Sequence, residues 1–140
     1  MADHILTVSI VTPRTTAFVG SAVAVSVPGS QSPFQVLYNH APIISSLDIG
    51  VLKIEDEKNH VSFFATREGF IEVMKNNVNI VVQDILSAKD VDVDSAARDL
   101  EQAKIKGDTD PDRAARVVAH KERHWAEARL RAARLQKELL

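Results

Sequence analysis

The stretch Pro28-Gly29-Ser30-Gln31-Ser32-Pro33-Phe34-Gln35-Val36-Leu37-Tyr38-Asn39-His40-Ala41-Pro42 decides how this chain folds. Two turn signals, Pro28-Gly29 and Tyr38-Asn39, bracket a short apolar run. Glycine takes positive φ at no steric cost, and asparagine tolerates it better than most residues. Pro42 restricts Ala41 to an extended conformation. Phe34, Val36 and Tyr38 alternate with Gln35 and Leu37, which predicts a strand held between two tight turns. Val23, Val25 and Val27 before it, and Ile43, Ile44, Leu47, Val51, Leu52 and Ile54 after it, are also strand-like. The stretch is therefore a corner of a β-rich domain, with polar turn residues on its rim.

Working outward, residues 5 to about 86 hold nearly all the strand formers. Leu6, Val8 and Ile10 alternate with Thr7, Ser9 and Val11. The charged run Glu55-Asp56-Glu57-Lys58-Asn59 reads as a hairpin tip, and Lys75-Asn76-Asn77 as another turn. Short strands at close spacing, with no long helical period among them, predict an antiparallel β-sandwich over residues 1–87.

Composition changes at Ser87-Ala88-Lys89, beyond which there is no Phe or Tyr. Residues 88–140 are expected to form an antiparallel two-helix hairpin. Asp92 or Asp94 caps the first helix, with Val93, Ala96, Leu100 and Ala103 on one face and Gly107 as its stop. Asp110 is placed to cap the second helix, with Pro111 at its first position. Val118, Trp125, Ala128, Ala132, Leu135 and Leu139 form its apolar stripe, interrupted by Lys121. That stripe assigns Trp125 to the hairpin core in preference to a docking anchor. Alanines bury little, so compact and extended forms of the hairpin are expected to differ by only a few kcal/mol. The second helix is rich in arginine, including Arg116, Arg123, Arg129, Arg131 and Arg134, and in an open hairpin it would be a long basic rod.

Composition narrows the function. The chain has 140 residues, a net charge of -2 and 5% aromatics, which disfavours a nucleic-acid binder working by charge and base stacking. It has no cysteine, so disulfides, thiolate nucleophiles and Cys-ligated zinc are absent. No apolar run approaches the ~20 residues that span a bilayer, so direct membrane insertion is not expected. Met1-Ala2-Asp3-His4 leads almost directly into strand sequence, which argues against a leader peptide. No P-loop, GxSxG elbow or HExxH helix occurs. His120 and His124 stand four apart with no evident third ligand, so no metal site is assigned. A hydrolase built on His40 and Asp48 lacks a nucleophile and an anion site. No catalytic residue is assigned. His40 is either a turn residue bonding a nearby carbonyl or a partner contact.

An ordered series of motifs carries a resemblance over nearly the whole chain. It runs Ile10-Val11-Thr12-Pro13, Val27-Pro28-Gly29, Phe34-x-Val36-Leu37-x-x-His40-Ala41-Pro42, Leu47-x-x-Gly50-Val51-Leu52, Gly69-Phe70-Ile71-Glu72-Val73 and Asn77-Val78-Asn79-Ile80-Val81. The series resembles the epsilon subunits of F-type ATP synthases. The resemblance implies a sandwich, usually of ten strands, followed by a helical hairpin. It implies a non-catalytic rotor subunit in the central stalk that binds the gamma subunit and the c-ring and couples proton flow to ATP synthesis. Its place would be peripheral, on the cytoplasmic face of the bacterial inner membrane or the stromal or matrix equivalent. The loop Gln31, Ser32 and Pro33, with His40, would face the c-ring, and Thr12 would lie near gamma. The helices would restrain ATP hydrolysis through transient contact with the catalytic alpha and beta subunits. The alternative is a generic interaction module, sandwich plus hairpin, serving another complex.

The chain departs from the pattern at several places. Pro33 stands where the family often has an acidic residue, and Gln35 where it often has Gly. Tyr38-Asn39 replaces a common Pro-Gly, and Arg67-Glu68 replaces small residues before Gly69-Phe70. Some bacterial members bind ATP through an aliphatic-Asp-x-x-Arg-Ala motif. Here the best register is Val91-Asp92-Val93-Asp94-Ser95-Ala96, with Ser95 in place of the arginine. Losing that guanidinium removes a charge-assisted bond to phosphate, so weak or no ATP binding is expected and no cofactor is assigned.

Overall fold

The computed structural model describes residues 4–139. Ten strands come first: β1 (Leu6–Val11), β2 (Thr16–Ala22), β3 (Ala24–Val27), β4 (Phe34–Leu37), β5 (Ile43–Leu47), β6 (Gly50–Glu55), β7 (Val61–Thr66), β8 (Gly69–Met74), β9 (Asn77–Val82) and β10 (Ile85–Ser87). They form two five-stranded sheets, ordered β2-β1-β9-β8-β5 and β10-β7-β6-β3-β4. Strand alternation decides which side chains face inward. Leu6, Val8, Ile10, Ile71, Val73, Val78 and Ile80 from the first sheet meet Val25, Val27, Val36, Leu52 and Ile54 from the second in one core. The sandwich is antiparallel as expected, except that β1 and β9 run parallel. Parallel neighbours need a long connection, and here it is the whole chain between them.

Turn chemistry differs from expectation at Gly29. No glycine among the described residues has positive φ; Asn39, Asn59, Lys75 and Asn76 do. Gly29 is required by space instead, since a Cβ there would fall 2.5 Å from the Ser32 carbonyl oxygen and 2.9 Å from the Phe34 ring. Lys75 and Asn76 make the two-residue β8–β9 turn, where consecutive positive φ values match the twist of a hairpin.

A short 3-10 turn (Ala88–Asp90) leads to α1 (Val93–Thr109) and α2 (Arg113–Glu138). Asp92 is the cap of α1, its carboxylate accepting from the Ser95 N–H at 3.1 Å. Two helix boundaries are corrected. Gly107 does not stop α1; it lies buried inside it, because its missing side chain lets α2 approach at Ala119 and His120. Asp110 does not cap α2. Asp112 does, accepting from the Ala114 N–H, while Asp110 accepts from the Asp112 N–H and Pro111 stays outside the helix.

Trp125 is corrected too. It is buried with Phe63 and Ala65 of β7, with Ala88, and with Ala128 and Ala132 of its own helix. It is therefore the anchor of α2 on the second sheet, not the core between the helices. The apolar stripe holds at Trp125, Ala128 and Ala132, whereas Val118 and Leu139 at its ends are exposed.

Candidate partner-binding surfaces

The two sheets present opposite outer faces. α2 lies on β7 and β6 of the second sheet. The outer face of the first sheet exposes Ile44, Val19, Phe70 and Met74, with Ile44 74% and Val19 70% accessible. Strand register lines up Val19, Ser9, Asn79, Glu72 and Ile44 across all five strands. Phe70 and Met74 flank Glu72 on the same face, because Ile71 and Val73 between them point into the core. Sequence reasoning missed this face. Its signal was the apolar residues at outward positions, Ile44 beside Ile43 and Phe70 beside Ile71.

The second candidate surface is the edge where β4 and β5 end their respective sheets. The β3–β4 loop is stitched to β5 through Ser30 N–H to the Ser46 carbonyl at 3.0 Å and Asp48 N–H to the Pro28 carbonyl at 2.9 Å. Gln31, Ser32 and Pro33 project from it, all exposed. At the other end of β4, the Asn39 N–H donates to the Asn76 side-chain oxygen at 2.7 Å, fixing this turn against the β8–β9 turn. His40 turns back along the edge, its ring stacked on Phe34 with centroids 6.3 Å apart. Its Nδ1 lies 2.8 Å from the Ala41 carbonyl, which makes Nδ1 the donor and leaves Nε2 outside that bond. The bond goes to backbone, not to Asp48. The structure thus brings Gln31, Ser32, Pro33 and His40 to one edge. Thr12 is elsewhere, in the β1–β2 turn three strand positions from β5, where its hydroxyl accepts from the Arg14 and Thr15 N–H groups. A cleft of about 670 Å³ separates the β3–β4 loop from Arg131 and Leu135 of α2.

The helical residues are divided among separate tasks. Arg116 donates to the Asp110 and Pro111 carbonyls and so clamps the α1–α2 turn. Arg123 pairs with Glu127 at 3.4 Å, and Arg129 reaches Asp99 of α1 at 3.0 Å. Arg131 and Arg134 are exposed and make no ion pair among the described residues. Of these five arginines, Arg116 and Arg129 are therefore engaged across the closed hairpin, Arg123 within its own helix, and Arg131 and Arg134 face outward. In the degenerate ATP register, the Asp92 carboxylate is occupied as a helix cap, Ala96 is fully buried and Val91 half-buried. His120 packs against Gly107, and His124 Nδ1 is 3.7 Å from Glu127. Among the described residues, no cluster of three His, Cys, Asp or Glu converges, and no helix is long and apolar enough to cross a membrane. Among the described residues, one titrating group is displaced. Asp56, in the β6–β7 turn, is held below the usual carboxylate range by the His60 N–H, with a further bond from the Lys58 N–H.

Residues 5–88 match the family described as ATP synthase, Delta/Epsilon chain, beta-sandwich domain. The ATP synthase epsilon chain of Salinibacter ruber is 38% identical over 112 residues, covering 74% of each chain. The chloroplastic ATP synthase epsilon chain of Guillardia theta is 31% identical over 132 residues, covering 94% of this chain and 98% of its own. Among solved structures, a chain of the Euglena gracilis mitochondrial ATP synthase superposes with a TM-score of 0.82 at 22% identity, covering 91% of this chain and 80% of that one, which bears on the fold alone. The ten-strand sandwich, the helical hairpin and these relatives agree, and the chain belongs to the epsilon-chain family of F-type ATP synthases.

Proposed function

We propose that this chain is a non-catalytic subunit of the central stalk of an F-type ATP synthase. Residues 1–87 join the gamma subunit to the c-ring, and residues 88–140 regulate. The observation that carries the proposal is the asymmetry of the sandwich. One sheet is covered by its own helix, while the other leaves a five-strand-wide face with exposed Ile44, Val19, Phe70 and Met74. Exposed apolar side chains grouped on one flat face mark an interaction site. Gamma would take this face, with Thr12 at its margin. The stitched edge bearing Gln31, Ser32, Pro33 and His40 would meet polar c-ring loops. A rotor coupling must carry torque, and an edge tied at both ends of β4 is suited to that.

The hairpin would restrain ATP hydrolysis by leaving the sheet and presenting Arg116, Arg123, Arg129, Arg131 and Arg134 to acidic surfaces of the catalytic subunits. ATP binding to the hairpin is expected to be weak, because Ser95 offers no charge to a phosphate and Asp92 is committed as a cap. The complex is expected at the membrane as a peripheral component.

The test is binding to the matching gamma subunit. Replacing Ile44 and Phe70 together by Asp puts two charges into the proposed apolar contact and should weaken binding at least about tenfold. Unchanged binding, with the fold intact by circular dichroism, would mean that gamma does not take the open sheet face.

A further inference from the structure

We infer that Arg67, Glu122 and Trp125 form an electrostatic latch that sets how readily α2 leaves the second sheet. Arg67 belongs to the turn between β7 and β8. Its backbone N–H donates to the Asp84 carbonyl at 2.9 Å, and the Glu68 carbonyl accepts from Gln83, so the turn is fixed to the sandwich. From there the Arg67 guanidinium donates to Glu122 of α2 at 3.0 Å and lies 4.9 Å from the Trp125 ring centroid. The neighbouring residues repeat the pairing with charges reversed, Glu68 lying 3.6 Å from Lys121. Two adjacent residues of opposite charge on the turn thus face two adjacent residues of opposite charge on the helix.

The same tryptophan is also met by Arg129, 5.4 Å from the ring centroid, which bonds Asp99 of α1 at 3.0 Å. One indole therefore contacts both a guanidinium carried by the sandwich and a guanidinium tied to the first helix. Arg67 is 24% accessible and Arg129 14%, so both are shielded from solvent better than ordinary surface cations. A shielded guanidinium that both pairs with a carboxylate and lies over an indole loses both contacts at once when the helix moves. The remaining contacts of α2 with the sheet are apolar: Phe63, Ala65, Ala88, Trp125, Ala128 and Ala132 form a buried cluster, and Leu135 of α2 and Val51, Val61 and Leu86 of the sheet pack against it. The charged contacts add to this apolar packing, and they are the part that salt or charge reversal removes.

The latch deepens the regulatory part of the proposed function and rests on it for its biological use. Docking itself is measured on the isolated full chain. A hairpin that proves not to inhibit hydrolysis would leave the latch intact, and a failed latch would leave inhibition to be explained otherwise.

Trp125 is the chain's single tryptophan and so reports docking directly. Acrylamide quenching and emission wavelength should be followed for the wild type, R67Q, R67E, E122R and R67E/E122R, with far-UV circular dichroism recorded alongside. R67E and E122R are expected to raise the undocked fraction about tenfold, with the helical signal retained. The double swap should return most of that change, because the ion pair is restored although the cation over the indole is not. Rising salt should expose Trp125 in the wild type and have little further effect in R67Q. Should R67E prove misfolded, the R67Q and salt comparison still decides. Equal quenching in the wild type and R67Q at low salt, or a double swap no better than its single variants, would overturn the latch.

Discussion

The sandwich and the hairpin are held together by different kinds of side chain. The sandwich core is built from Leu6, Val8, Ile10, Leu52, Ile71, Val78 and Ile80, all fully buried. The helices bury Ala96, Ala103, Ala119, Ala126, Ala128 and Ala132, with Trp125 the one large exception. A buried Leu, Ile or Val contributes about 1.5–3 kcal/mol, and an alanine far less. Close helix approach at Gly107 and Ala119 gives shape complementarity without much hydrophobic gain. One part of the chain is thus built to keep its shape, and the other to hold it lightly. That is the division expected of a coupling element joined to a movable regulator.

The largest test of this contrast is Ile71→Ala. It should destabilise the sandwich by about 3 kcal/mol, lost transfer energy plus a cavity, and denaturant unfolding followed by strand signals should show it. A cost below about 1 kcal/mol would mean that the core is not the rigid half. Next comes Thr66→Val. The Thr66 hydroxyl is fully buried and has no hydrogen-bond partner among the described residues. Removing it should stabilise the sandwich by about 1 kcal/mol, read as a higher melting temperature. Smaller still is Gly107→Ala in α1. Alanine favours the helix by up to about 1 kcal/mol, offset by a Cβ 3.3 Å from the His120 ring, which is exposed and able to move aside. A net gain of about 0.5 kcal/mol, slowing amide exchange in α1 but not in the strands, would sharpen the division.

The smallest effect concerns pH. The folded carboxyl of Asp56 titrates below its unfolded value, so its contribution is present above the unfolded value and lost as pH falls through the lowered one. Asp56→Asn should remove that acid sensitivity at the β6–β7 turn, seen by following the turn amides during an acid titration. Amides that titrate alike in both forms would deny the turn its role.

Much of the sandwich was legible in the sequence because strand alternation is local. Leu6, Val8 and Ile10 declare a face without reference to any partner strand. The turn at Asn39 was legible for the same reason, and the cap at Asp92 was one of two that the sequence allowed. The parallel pairing of β1 with β9 was not, since it joins residues some seventy positions apart. Gly29 was read through its backbone freedom, but the constraint is a clash with Phe34 and Ser32 that only the folded loop creates. Trp125 was placed on the right stripe and given the wrong partner. Periodicity defines a face of α2 but not which neighbour covers it. The pairing of Arg67 with Glu122 spans fifty-five positions and leaves no local trace. Of the candidate contact residues, Gln31, Ser32, Pro33 and His40 come together at one edge, while Thr12 stands apart from them.

The most direct measurement is ATP hydrolysis by a catalytic core depleted of this subunit, with either the full chain or a version ending at Ser87 added back. Both forms should bind gamma and the full chain alone should slow hydrolysis, because only it carries the removable hairpin. Equal rates with the two forms, both bound to gamma, would contradict this.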